Sequence, residues 1–242
     1  MTWRSRTFSS CFCSLLFAAA ALPATFTARI ELADSREPGV RRQKNFSGVV
    51  VWLEPAGRPA PLPAALRTYT MSQKGKRFLP HVLAIPVGAT VEFPNFDPIF
   101  HNAFSNFAGQ PFDTGLYPPG TTRKVRFHRD GVVQVFCNIH STMSAIIVVV
   151  NTPYFAVSPP NGEIRFEGIL PGPYRLRIWH ERASEATLKA LERAVEVSDA
   201  GAPQSISLRI SEAGYIAVPH TNKYGHDYPP ESGNIVYPGA RK

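Results

Sequence analysis

The sequence predicts an all-β chain folded as two consecutive β-sandwiches. Three observations carry that expectation. Pro supplies 23 of the 242 residues, roughly twice the ~5% of average usage, and a residue that lacks the backbone donor and clashes inside helices argues against a helical protein. Short apolar or alternating runs recur along the chain, separated by Gly, Pro and Asp-Gly turn signals. Apolar residues make up 44% of the chain, enough to fill real cores, which excludes wholesale disorder. The length allows one large domain or two small ones.

Residues 1–28 read as a secretory signal peptide. Arg4 and Arg6 form a basic start, an apolar run from Cys11 to Leu22 follows, and small residues come at Ala21, Ala24 and Ala28. That run is short for a bilayer span and no later segment is long and apolar enough, so the mature chain is expected to have no membrane span. The expected location is periplasmic or secreted. Removing the leader takes Cys11 and Cys13 with it and leaves Cys137 as the single cysteine. An intrachain disulfide is then impossible, and a lone thiol in an oxidising compartment is a liability unless something holds it.

Residues 29–151 are expected to form the first sandwich. Its strands are read at Val49–Leu53, Val82–Ile85, Thr90–Phe93, Lys124–Phe127, Val132–Phe136 and Ala145–Val150, short and regularly spaced as in sandwiches and barrels. The Val49–Leu53 run could complete either sandwich. Asn151-Thr152-Pro153 marks a boundary, and residues 152–212 form the second sandwich. Gly162–Gly168 and Tyr174–Trp179 alternate around Leu170-Pro171-Gly172-Pro173 as a hairpin would, and Ser205–Ile210 is a last strand. Between them, Ala183–Val197 reads either as a short helix or as a loop entering a strand. Residues 213–242, rich in Tyr, Pro, Gly and Asn, read as an extended tail.

Charge narrows the partners. Residues 29–151 carry 14 basic against 8 acidic side chains, whereas residues 152–242 carry 10 of each. The basic residues are scattered and the chain is exported, which argues against nucleic acid. An acidic protein partner or an anionic surface fits the excess, as does solubility alone.

The chemistry is concentrated in one stretch. Cys137, His140 and Met143 place a thiolate, an imidazole and a thioether within seven residues, between the strands at Val132–Phe136 and Ala145–Val150. Upstream, Phe93–Asn102 supplies a second imidazole at His101. Two His and one Cys with a weak axial Met make the trigonal site of blue copper. Soft sulfur donors favour Cu(I) while imidazole suits both oxidation states, so one fixed site tolerates both. Structural zinc fits worse, since it takes four Cys or His ligands and Met binds it poorly. A binuclear copper centre lacks its second cysteine, and the His-x-His pairs of a multicopper oxidase are absent.

The segment Val82–Val150 resembles the cupredoxins, the small blue copper proteins, with a ligand loop of amicyanin-type spacing. Gly88–Asp97 followed by His101-Asn102 resembles that family's strand and first-ligand loop. The wider chain is similar to secreted plastocyanin-like or methylamine-utilization-like proteins, in which a cupredoxin Greek-key β-sandwich precedes a carboxypeptidase-regulatory-like, transthyretin-like β-sandwich; Ile164–His180 fits that second module. The resemblance covers roughly residues 45–212. It implies one type 1 copper per chain, with His101, Cys137 and His140 as equatorial ligands, Met143 as the axial ligand, and Asn102 hydrogen-bonding across to the ligand loop. It also implies that His140 presents an edge to solvent within an apolar patch, for which Ile139, Phe104, Pro98 and Ile99 are the candidates.

The expected function is therefore transfer of single electrons between redox partners, one of them carrying an acidic docking surface. Metal sensing, storage or delivery is the alternative, as is a surface scaffold with a vestigial site. His81 is read as a turn histidine near the site, His128 as exposed and His180 as structural in the second sandwich; His220 and His226 lie in the tail. A nucleophilic triad, a phosphate loop and paired carboxylates with acid–base spacing are all absent, so the sequence does not point to an enzyme.

Overall fold

A computed structural model describes residues 24–61, 67–106, 110–198 and 204–228. The first elements are β1 (Ala24–Ala33), α1 (Pro38–Gln43) and β2 (Val50–Pro55). There follow β3 (Thr68–Thr70), β4 (Ser72–Gln73), β5 (Phe78–Leu79), β6 (Val82–Pro86), β7 (Thr90–Pro94), β8 (Phe104–Ser105), β9 (Phe112–Asp113), β10 (Thr122–Arg126), β11 (Gly131–Phe136) and β12 (Ser144–Val150). The last are β13 (Phe155–Val157), β14 (Glu163–Ile169), β15 (Gly172–Trp179), α2 (Glu185–Leu191), β16 (Arg193–Val197) and β17 (Gln204–Ser211). Strands dominate, as the Pro content and short alternating runs predict. No helix among the described residues is long and apolar enough to cross a membrane.

One sandwich packs the sheet β10-β7-β3 on the sheet β6-β12-β11-β8-β9. Its core holds Val91, Phe93, Phe127, Val135 and Ile147. The other packs β14-β1-β17 on β13-β2-β15-β16, around Phe26, Ile30, Leu53, Phe166, Leu176 and Leu208.

The strand pairing departs from the expected division at residues 29 and 152. β1 lies between β14 and β17, and β2 lies between β13 and β15, so both belong with the C-terminal strands. Residues 67–151 are thus an insertion into the second sandwich rather than the end of a preceding domain. Alternation in β1 shows which side chains turn inward, but the choice of neighbouring strand is made about 135–180 residues away, beyond any local pattern. The expected leader is affected too. Residues 1–23 lie outside the described residues, but Ala24–Ala28 form the first half of β1, with Phe26, Thr27 and Ala28 opposite Gln204, Ser205 and Ile206. A mature chain starting at residue 29 would lose that half of a central strand.

Two local readings also change. β14 and β15 do not form a hairpin: β14 pairs with β1, while β15 pairs with β2 and β16. The Leu170–Pro173 turn carries the chain from one sheet to the other, and the Tyr174 hydroxyl pins it by donating to the Leu170 carbonyl (2.6 Å). The Ala183–Val197 stretch holds both of the expected alternatives in succession. Ser184 accepts from the Thr187 N–H and caps α2, and the chain then enters β16.

β12 shows no alternation because both its faces are covered. Ile147 and Val149 enter the core of their own sandwich. Ile146, Val148 and Val150 pack with Val50 and Ala84, flanked by Trp52 and Trp179, and so join the two sandwiches.

Candidate metal centre

β11 and β12 pair as far as Phe136 opposite Ser144, so Cys137–Met143 is the loop that closes their ladder. The Cys137 N–H donates to the Met143 carbonyl (3.1 Å) and the Met143 N–H donates to the His140 carbonyl (3.1 Å). This fold-back leaves Cys137 Sγ 3.6 Å from His140 Nδ1. Cys137, His140 and Met143 are all buried.

His101 comes from the loop after β7. Its backbone is clamped to Tyr117 by two hydrogen bonds, His101 N–H to Tyr117 C=O (3.3 Å) and Tyr117 N–H to His101 C=O (2.9 Å). Its ring reaches the same point, with Nδ1 3.8 Å from Cys137 Sγ. The other ring nitrogen, Nε2, lies 2.8 Å from Asp97 Oδ2. Asp97 is held in turn by the N–H groups of Gly75 (2.6 Å) and Lys76 (2.8 Å). Those two residues have φ of +63° and +54°, the doubly left-handed turn that closes a tight hairpin, here joining β4 and β5. The turn therefore aims a pair of donors at the carboxylate that orients the ligand.

Burial pushes the Asp97 carboxyl upward, but the Lys76 N–H, His101 and the Gly75 N–H outweigh it and hold the group below its ordinary range. Burial pulls His101 down against the opposing pull of Asp97, which favours the neutral imidazole. With Nε2–H given to Asp97, the Nδ1 lone pair faces the thiol, the arrangement by which a carboxylate fixes tautomer and ring orientation at metal sites. Burial raises the Cys137 thiol, opposed by the backbone N–H groups of Asn102, Ile139 and His140. A thiolate at this position needs a cation beside it.

The donor set fits a copper ion. His101, Cys137 and His140 form the one potential metal-holding group of His, Cys, Asp and Glu among the described residues, with ligand atoms all within 4.8 Å of one another. At tetrahedral to trigonal angles, metal bonds of about 2.0 Å to nitrogen and about 2.3 Å to sulfur put the donors about 3.5–3.7 Å apart; the two sulfur–nitrogen separations here are 3.6 and 3.8 Å. One thiolate with two imidazoles, beside a buried thioether residue, suits copper better than zinc or a hard cation.

Asn102 Oδ1 accepts from the Asn138 N–H (2.6 Å) and its Nδ2 donates to Asp113 (3.2 Å). The expected solvent patch differs. His140 is only 3% exposed and Phe104 1%, because β8 pairs Phe104 with Phe136 inside the sheet. Ile139 and Ile99 are half-buried and Pro98 is exposed. His81 is not near enough to join the site; it bridges the Ser144 carbonyl (3.1 Å) and Glu181 (2.8 Å) across the two sandwiches. His128 is exposed and His180 is buried against Glu212. Asp97 has no role in the sequence reading, although the Asn95-x-Asp97 pattern signals its turn: Asn95 Oδ1 accepts the Asp97 N–H (3.0 Å).

Solved structures similar to part of the chain include a copper-containing nitrite reductase from Thermus scotoductus, at 27% identity and TM-score 0.34, covering 50% of this chain and 28% of that one. A purple cupredoxin from Nitrosopumilus maritimus is 23% identical, with TM-score 0.31, 34% of this chain and 99% of that one. Amicyanin from Paracoccus versutus is 18% identical, with TM-score 0.33, 41% of this chain and 97% of that one. No protein-family model and no curated protein matches the chain.

Proposed function

We propose that the protein is an exported type 1 copper protein that passes single electrons between redox partners, in the periplasm or outside the cell, with one copper per chain. The observation that carries this reading is the buried Cys137 Sγ standing 3.6 and 3.8 Å from the Nδ1 atoms of His140 and His101. His101, Cys137 and His140 would hold the copper, with Met143 as a weak fourth ligand, and Asn102 ties the two ligand loops together. A bound copper supplies the one-electron couple. The chain supplies rigidity: Asp97 fixes the His101 ring, the β11–β12 ladder fixes Cys137, and the fold-back of the loop fixes His140, so little moves when the charge changes.

Docking follows from charge and apolar exposure near the first ligand. Residues 67–151 hold eight Lys and Arg against four Asp and Glu, so the basic excess stays with the metal-bearing sandwich. The exposed Lys74, Lys76 and Arg77 stand on the turn that holds Asp97. Phe96, beside Asp97, is 64% exposed, and Leu116, beside Tyr117, is 54% exposed. Exposed apolar residues together with exposed cations on the same sandwich suit a redox protein with an acidic surface.

The test is repeated cycling of the Cu(II)-loaded chain with ascorbate and then hexacyanoferrate(III), with metal analysis after each cycle. Electron transfer predicts a colour that bleaches and returns with one copper retained per chain. Loss of Cu(I) to a competing chelator during the first reduction supports metal delivery instead.

A further inference from the structure

We infer that the C-terminal segment 213–228 is a clasp on the metal centre, which positions the ligand loop and slows the loss of copper. This rests on the copper reading above. The segment leaves β17 in the second sandwich and runs, without helix or strand of its own, to the ligand end of the first. There it touches three consecutive residues. The His220 ring stacks on Phe136, with centroids 4.1 Å apart and planes at 29°. The Tyr228 hydroxyl donates to the carbonyl of Cys137 (2.8 Å). The Lys223 N–H donates to Asn138 Oδ1 (3.0 Å). The residue before the thiolate ligand, the ligand itself and the residue after it are thus all held from the tail.

Lys223 also closes a ring. Its Nζ pairs with Asp113 Oδ2 (2.7 Å), Asp113 Oδ1 accepts from Asn102 (3.2 Å), and Asn102 accepts from the Asn138 N–H (2.6 Å). The ring joins the neighbour of His101 to the neighbour of Cys137 through the tail. The tail is itself folded for this role: Asn222 Oδ1 accepts the N–H groups of Tyr224 (2.9 Å) and His226 (3.1 Å), and His220 Nδ1 lies 3.2 Å from the Tyr228 hydroxyl. For copper to leave, the Cys137–Met143 loop must open, and opening it breaks these contacts as well. Hydrogen-bonding partners one step behind metal ligands typically change metal affinity about 10–100-fold.

Three full-length variants test the clasp: Tyr228→Phe, the double variant Tyr228→Phe with His220→Ala, and Lys223→Gln, which takes the ammonium away from Asp113 and from the Tyr224 ring but keeps the Lys223 N–H on Asn138. Each is loaded with copper, and two signals are read: the rate of Cu(I) transfer to a bicinchoninate chelator, and the energy of the thiolate-to-copper band. The double variant should lose copper about tenfold faster with a shifted band, and the single variants less. Wild-type rates and band positions in every variant that folds overturn the clasp. A wild-type protein with no thiolate band overturns the copper reading and the clasp together, whereas an intense wild-type band with unchanged variants overturns the clasp alone. If the double variant misfolds, Lys223→Gln still decides.

Discussion

Each sandwich buries a histidine against a carboxylate, yet only one of the two pairs sits in a metal-ligand cluster. His101 Nε2 lies 2.8 Å from Asp97, and His180 Nε2 lies 2.7 Å from Glu212. In the first sandwich the carboxylate also accepts from the Gly75 and Lys76 backbone N–H groups, and the other ring nitrogen of the imidazole faces a thiol and a second imidazole. In the second, Glu212 also binds the Arg182 guanidinium (2.9 Å) and the Ser35 hydroxyl, and no thiol among the described residues joins it. Burial lowers the His180 pKa in the face of Glu212, much as it does for His101. A His–carboxylate pair fixes a ring and its tautomer; what the opposite nitrogen faces decides whether that ring is a ligand or a strut.

The largest expected effect sharpens this contrast. His101→Gln should abolish the thiolate–copper colour, whereas His180→Gln should leave the colour intact and lower stability by about 1–3 kcal/mol, the cost of stranding a buried hydrogen-bonding group. Equal spectral loss in both variants would erase the distinction. Next in size is Leu53→Ala, a fully buried residue of the second core, which should cost about 2–5 kcal/mol. Because Ile146, Val148 and Val150 of β12 join the sandwiches through Val50, the same change should lower the temperature at which the copper colour disappears. Colour loss at the wild-type temperature, beneath a separate early transition in circular dichroism, would mean that the sandwiches melt independently. Asp97→Asn should weaken copper binding about 10–100-fold while leaving the Cys137 band present, as measured by competition with a chelator.

The smallest effect is in pH. The hydrogen bond to Glu181 raises the His81 pKa despite burial, and the hydrogen bond to His81 lowers that of Glu181 despite burial. The His81 contribution is fully present below its ordinary 6.5 and is lost as pH rises through the raised value; that of Glu181 is present above 4.5 and is lost as pH falls through the lowered one. Stability should therefore pass through a shallow maximum between those limits. His81 is 48% exposed, so the gain stays under about 1 kcal/mol. His81→Gln should flatten the alkaline side of thermal-midpoint measurements, and an unchanged slope would assign that decline elsewhere.

What can be read in the sequence is what lies close together along it. Cys137, His140 and Met143 sit in one turn, so their spacing reveals them, and His101 follows from its resemblance to a first-ligand loop. Asp97 is as close to His101, but it becomes an orienting group only because Gly75 and Lys76, some twenty residues earlier, aim two donors at it. The tail is hidden for a related reason. Its anchor on the ligand is the Cys137 backbone carbonyl, a group every residue possesses. β1 is masked in another way: its alternating start at Ala24 follows directly on the apolar Cys11–Leu22 run, and its partners in β17 lie near the other end of the chain.

The central claim is a thiolate–copper bond at Cys137. Its most direct test is the visible absorption spectrum of the purified full chain during titration with Cu(II), beside Cys137→Ser under the same conditions. A thiolate–copper bond gives an intense band that saturates at one copper per chain, bleaches on reduction and is absent from Cys137→Ser. Copper that binds without such a band, or a band that survives the substitution, would contradict it.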